Sequence, residues 1–235
     1  MTARHDSQSH FHTELAELER RVLGMVNQAE KMIGMAVEAV TTDQIELARE
    51  VVDLHDEIHA THFEVHRAWT ELVVRNQPLG SDMRTMTVLL QLNATFERMG
   101  AQCANIAKIT LANHGLPRVE SIVEKVIEMG DLVRPMVRSA IDSYIRRDLD
   151  EARLLPAMDE PIDRLNATMY LEVVAVGDHR EMLEWATKMM MVSRALERIG
   201  DQAVDLGEQT AFLITGERAQ FDEAGLNKAG SGDDG

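Results

Sequence analysis

Residues Glu197–Asp205 read "ERIGDQAVD", and one hundred positions earlier Glu97–Asn105 read "ERMGAQCAN". The two strings share Glu, Arg, an apolar residue, Gly, Gln and Ala in the same order. They differ where the later string carries Asp201 and Asp205 and the earlier one Ala101 and Asn105. A frame repeated at this offset marks an internal duplication and divides the chain into two halves of similar layout.

Each half reads as three helices. Leu15, Leu18, Val22, Met25, Val26 and Met32 recur at helical spacing and predict a first helix over about 11–40. "TTD" at 41–43 reads as an N-cap for a second helix that runs to about Asn76. "NQPLGSD" breaks the chain at Pro78 and Gly80, and a third helix follows from about Ser81 to Asn113, where "NHGLP" stops it. A fourth covers about 118–146, with a kink expected at Pro135. The fifth opens near Asp148 and should bend or restart at Pro156 and Pro161. The sixth runs from about Glu181 to Thr215, with Gly216 as its stop. The predicted fold is all-α: two tandem antiparallel three-helix bundles, over 11–115 and 116–218. A flexible N-terminus (1–10) precedes them and a disordered tail rich in Gly and Asp (219–235) follows.

The composition suits this. Hydrophobic residues make up 45% of the 235 but aromatics only 4%, with 15 Met and 5 Pro, as expected of helices packed by aliphatic side chains. Lys and Arg number 24 against 40 Asp and Glu, a net charge of −16. Such a surface repels a phosphate backbone, so no nucleic-acid partner is expected; it favours cations or a basic partner surface. Cys103 is the single cysteine, which excludes an intramolecular disulfide and suits a reducing compartment. No signal peptide is evident, and no apolar run approaches the roughly 20 residues of a membrane span. A soluble cytoplasmic protein without direct membrane insertion is expected.

At about 100° per residue, Glu197, Asp201, Asp205 and Glu208 fall on one stripe of the sixth helix. Two readings stand: a solvated face whose charges Arg194 and Arg198 balance, or a cation site. The fifth helix carries Asp159 and Asp163, again four apart, on the flank of an apolar face. If these helices are antiparallel neighbours, two carboxylate pairs meet across one groove and need a metal or protons. A carboxylate cluster suits oxygen-loving cations such as Mg²⁺, Mn²⁺ or iron.

The first half differs. Aligning Ile58 with Ile162 places His55 over Asp159 and His59 over Asp163, with His62 and His66 further along the same flank. A His pair at i, i+4 is a chelating spacing for Zn²⁺ or another borderline metal. Across the groove this half offers Glu97 but has Ala101 and Asn105 where acids stand in the other. A polar flank whose site has decayed and a nitrogen-rich site with a different metal both remain open.

These residues resemble the PhoU family, regulators of bacterial phosphate uptake. The resemblance rests on "ALERIGDQAVDLGE" with "DEPID", on the turn "RNQPLGSDMR" and on the ending "LITGE", and it covers about 11–218. It implies two three-helix bundles with metal clusters held by Glu/Asp-x-x-x-Asp motifs. On the matching positions Asp159, Asp163, Glu197 and Asp201 would be ligands, with Asp205 and Glu208 as further candidates. The first repeat departs from the pattern at His55, His59 and Ala101, and there the candidates are His55, His59, His62 and Glu97. The resemblance further implies a homodimer without catalytic activity, peripherally membrane-associated through the phosphate ABC transporter and a sensor histidine kinase, which it restrains when phosphate is plentiful.

Two rival readings compete. A carboxylate-bridged di-metal oxidase or metal store would need Glu-x-x-His pairs, and the nearest match is Asp56-x-x-His59, standing alone. A metal-free helical adaptor fits the periodicity and denies the carboxylate stripes any role.

Overall fold

The computed structural model describes residues 2–218, 220 and 221, with side chains from His10 onward. Among the described residues seven helices appear in order: α1 (Thr2–Thr42), α2 (Ile45–Asn76), α3 (Ser81–Ala112), α4 (Glu120–Arg146), α5 (Leu149–Ala152), α6 (Leu155–Ala175) and α7 (Arg180–Thr215). No β-strand occurs among the described residues. Helices α1, α2 and α3 pack on one another as the first repeat, and α4, α6 and α7 as the second. The repeats join through α3 against α7 and α1 against α4, which leaves α2 and α6 on the outside.

That placement follows from the apolar pattern. The central helices α3 and α7 bury residues around much of their circumference. Outer α2 buries only Ala48, Val51, Ile58, Val65 and Leu72, a stripe at steps of three and seven. Its remaining surface is free to carry polar groups. Between the repeats, Gly130 of α4 lets that helix close on Val37 of α1. Tyr144 is buried with its hydroxyl donating to Glu19 at 2.7 Å, and the Arg147 guanidinium lies 4.4 Å over its ring.

The helix limits agree with the sequence in most places and differ in two. The first helix starts at Thr2 rather than near residue 11, so residues 2–10 are helical where a flexible N-terminus was expected. They contain neither Gly nor Pro, and the helix they lead into is tied down by Glu14 to Arg75 at 3.0 Å and by buried Phe11 and Leu15. "TTD" ends α1 instead of capping α2. The Thr41 and Thr42 hydroxyls donate to carbonyls of Val37 and Glu38, and Asp43 takes a left-handed φ of 59°. The Asp43 carboxylate accepts instead from the Gly115 backbone N–H at 3.1 Å. Pro135 sits inside a continuous α4.

The fifth predicted helix does restart, as α5 and α6. Asp148 caps α5 by accepting from Asp150 and Glu151 N–H, and Pro156 sits in the first turn of α6, where its missing N–H costs nothing. Gly216 closes α7 at φ 83°, a left-handed conformation that glycine adopts without strain. Of the tail expected to be disordered, Gln220 and Phe221 are described, and the Phe221 N–H donates to Glu208 Oε1 at 2.8 Å. The rest of that expectation lies outside the described residues.

Candidate metal centres

In the second repeat α6 and α7 are neighbours, and the four-residue spacing of Asp159 and Asp163 aims both carboxylates at α7. There they meet Asp201: one oxygen from each of the three lies within 4.8 Å of the others. Asp159 is buried at 7% exposure, while Asp163 and Asp201 face solvent. Its Oδ1 has no hydrogen-bond partner. Burial, then the neighbouring charges of Asp163, Asp201 and Glu197, push the Asp159 carboxyl up to about 7. Burial and Asp163 also raise Asp201, although Arg194 opposes the shift.

A buried carboxylate oxygen without a protein donor is costly, and a proton or a cation would relieve it. Three convergent carboxylates are the donor set a hard cation takes, so the residues present fit a metal of that class. The close approach depends on Gly200. A Cβ at that position would fall well under 3.0 Å from Asp159 Oδ1. The glycine of the repeated frame is therefore what admits the ligand from the opposite helix.

Glu197 stands apart from this trio. Its Oε1 accepts from Arg194, one turn earlier, and its buried Oε2 has no partner. Burial and Asp201 raise its pKa, with Arg194 opposing. Asp205 lines the same cleft and lies 4.0 Å from Arg98 of the first repeat. Glu208 is engaged by the Phe221 N–H. The sequence thus placed six acids on one surface, and the structure gathers three of them.

The first repeat repeats the geometry with other chemistry. His55, His59 and Glu97 each bring one ligand atom within 4.8 Å of the others. His59 Nδ1 is 2.9 Å from Glu97 Oε1, and His55 Nε2 is 3.8 Å from it. His55 Nε2 is buried and unpartnered, the counterpart of Asp159 Oδ1. His55 also packs over the frame glycine, its Cδ2 3.4 Å from a Cβ built on Gly100. Two imidazoles and a carboxylate fit a borderline metal such as Zn²⁺. His62 turns away: its Nδ1 lies 3.4 Å from the Asn93 carbonyl, while the Asn93 amide donates to the His62 carbonyl at 3.1 Å. His66 belongs to neither group. Cys103 is a buried core residue whose thiol burial pushes up to about 12, which removes it from ligand or redox chemistry.

The Arg194–Glu197 ion pair is the one the helical spacing predicts, and Ala94 holds the arginine's place in the first repeat. The frame glycines are a further signal in the sequence, since each marks where a partner side chain lies against the helix.

The family model described as "PhoU domain" matches the chain twice, at residues 22–110 and 126–210. Among curated proteins, a "Phosphate-specific transport system accessory protein PhoU homolog" of Clostridium acetobutylicum is 27% identical over 91% of this chain and 98% of its own length. One from Pseudomonas putida is 31% identical over 90% of this chain and 83% of its own. The crystal structure of PhoU from Pseudomonas aeruginosa superposes with a TM-score of 0.81 at 28% identity, covering 88% of this chain and all of the other. The phosphate transport system regulatory protein PhoU from Streptococcus pneumoniae shares the fold, with a TM-score of 0.79 at 23% identity. Matched by the family model in both halves, this chain belongs to the PhoU family.

Proposed function

We propose that the chain is a metal-binding, non-enzymatic regulator of phosphate uptake in the cytoplasm. On this reading it restrains the phosphate ABC transporter and the phosphate-sensing histidine kinase, and reaches the membrane only through such partners, as a homodimer. The family membership and the accessory role named for its relatives support the regulatory part. No described helix is long and apolar enough to cross a membrane, which fits attachment through partners.

The metal part rests on one observation, the unpartnered buried oxygen of Asp159 facing Asp163 and Asp201. These three residues would hold Mg²⁺, Mn²⁺ or an iron ion, which would supply the positive charge their mutual repulsion lacks and tie α6 to α7. His55, His59 and Glu97 would hold a nitrogen-binding metal such as Zn²⁺ between α2 and α3. The exposed Asp163 and Asp201 leave the second site open to solvent, and Asp205 is near enough to the cleft to join it.

The test is a titration of chelator-treated protein with Mn²⁺ and Zn²⁺, using wild type, Asp201→Ala and a His55→Ala/His59→Ala double variant. Asp201→Ala should lose Mn²⁺ affinity and keep Zn²⁺ binding, and the double variant the reverse. Unchanged Mn²⁺ binding by Asp201→Ala would reduce the carboxylates to a solvated face. Deleting the gene should raise phosphate uptake and kinase-dependent reporter output at high phosphate; no change in either removes the regulatory reading.

A further inference from the structure

Where the repeats meet, a groove of ≈ 900 Å³ runs between residues 102–112 of α3 and 188–198 of α7, with Tyr170 of α6 at its edge. Its charge is opposite to that of the chain. Lys108, Lys188, Arg194 and Arg198 line it and no carboxylate does, in a protein of net charge −16. Lys188 is 3.4 Å from Glu184, and Arg194 bonds Glu197. Lys108 makes no hydrogen bond or ion pair with the described residues, and Arg198 forms none but lies near enough to Glu197 and Asp201 to oppose the rise in their carboxyl pKa. Between the cations the surface is apolar. Met191 is 62% exposed, Tyr170 52% and Met190 38%, with half-buried Ile109 beside them.

We propose that this groove docks an acidic amphipathic helix of another protein. Helix-in-groove recognition needs an apolar trough for one face of the ligand helix and complementary charge along its rims, and both are present. Each wall is 11 residues of α-helix, about 15 Å, which matches roughly three turns of a docked helix. Exposed methionines are flexible and polarizable, and adapt to irregular apolar side chains. The apolar strip is wasted on a small anion, and a nucleic-acid backbone has no apolar helical face to fill it. The proposal is independent of metal binding, since neither ligand trio lines the groove.

The test uses the full chain and a fluorescent peptide of about 18 residues, with Leu and Met at helical a/d spacing and Glu elsewhere. A matched peptide carries Lys in place of Glu, and a third is a scramble of the first. The acidic peptide should bind saturably. The Lys and scrambled peptides should bind at least about tenfold more weakly, and raising salt from about 50 to about 300 mM should weaken the acidic one severalfold. Lys108→Glu/Lys188→Glu and Met191→Asp should each cost about tenfold or more, while Arg49→Glu on α2 should cost nothing. Hydrogen exchange on wild type, which needs no variant to fold, should show new protection at 102–112 and 188–198 when the peptide binds. Absent binding, equal binding of the Lys peptide, competition by millimolar inorganic phosphate, or protection elsewhere would each overturn the proposal. Self-association lost in Met191→Asp, with no peptide binding, would assign the groove to a second copy and overturn it too.

Discussion

The carboxylate of Asp159 lies against the bare Cα of Gly200, leaving no room for a Cβ there. Gly200→Ala should therefore push Asp159 away from Asp163 and Asp201 and lower cation affinity at the second repeat by roughly 10–100-fold, the usual cost of losing a ligand's support. The matching change in the first repeat should behave differently. A Cβ on Gly100 meets His55 Cδ2 and Ile58 Cδ1 at 3.4 Å, ordinary contact distance. Gly100→Ala should keep the His/Glu trio and stabilise α3 by up to about 1 kcal/mol through helix propensity. Calorimetric metal titration and thermal unfolding of both variants check this. Equal metal losses in the two would break the proposed link between Gly200 and the second site.

The same carboxylate makes the metal-free protein sensitive to pH. Asp159 shifts from 3.8 to about 7, so between these values the folded chain holds a proton that the unfolded chain has released. The folded state then binds more protons, and its stability falls as pH rises through this window. Glu197 and Asp201 shift the same way. The melting temperature of chelated protein should drop from about pH 4 to about pH 8, at roughly 2–4 °C per kcal/mol. Excess Mn²⁺ should flatten the drop by replacing the proton, and Asp159→Asn should flatten it without metal. A slope untouched by Asp159→Asn would place its origin in the general negative charge instead.

What the sequence made legible was whatever is periodic. The offset of the two frames, the apolar spacing of α1 and the Gly/Pro breaks define helices and their order, because these depend on local backbone physics. The alignment of His55 with Asp159 is also matched in space, since both side chains lie over the frame glycines. Competition between partners was not legible. A helical stripe shows that Glu197, Asp205 and Glu208 share a face with Asp201 and that Arg194 is within reach of Glu197, but not that Arg98 lies beside Asp205 or that the Phe221 N–H donates to Glu208. His62 likewise shares its flank with His59 yet finds the Asn93 carbonyl. The TTD stretch misled because the Thr hydroxyls satisfy the carbonyls behind them rather than the N–H groups ahead.

The junction between repeats rests partly on one hydroxyl. Tyr144 of α4 donates to Glu19 of α1, and Arg147 covers the ring and bonds the same carboxylate at 3.4 Å. Burial, with Glu19 adding to it, pushes the phenol above its usual range, so it stays a donor at any physiological pH. Tyr144→Phe keeps the packing and removes the bond, leaving Glu19 to Arg147 alone. The expected cost is about 1–2 kcal/mol, read as a lower denaturant midpoint with an unchanged slope. A drop in slope instead would mean that the two repeats had begun to unfold separately.

The two repeats differ one turn before the frame glutamate, and the glutamates take different partners. In the second repeat Arg194 holds Glu197; in the first, Ala94 occupies that place and Glu97 turns to His59 at 2.9 Å. Exchanging the two should exchange the behaviour. Ala94→Arg should draw Glu97 from the histidines and weaken Zn²⁺ binding at the first repeat by about tenfold. Arg194→Ala should leave the buried carboxylate of Glu197 unpaired and cost the metal-free protein roughly 1–3 kcal/mol. It should also add a fourth carboxylate to Asp159, Asp163 and Asp201, so Mn²⁺ affinity rises and the lost stability returns with the ion. Thermal unfolding with and without chelator, alongside Mn²⁺ titration, separates the effects. If Arg194→Ala lowers Mn²⁺ affinity, the arginine supports the cluster rather than withholding Glu197 from it, and the difference between the repeats must come from Asp201 and Ala101 alone.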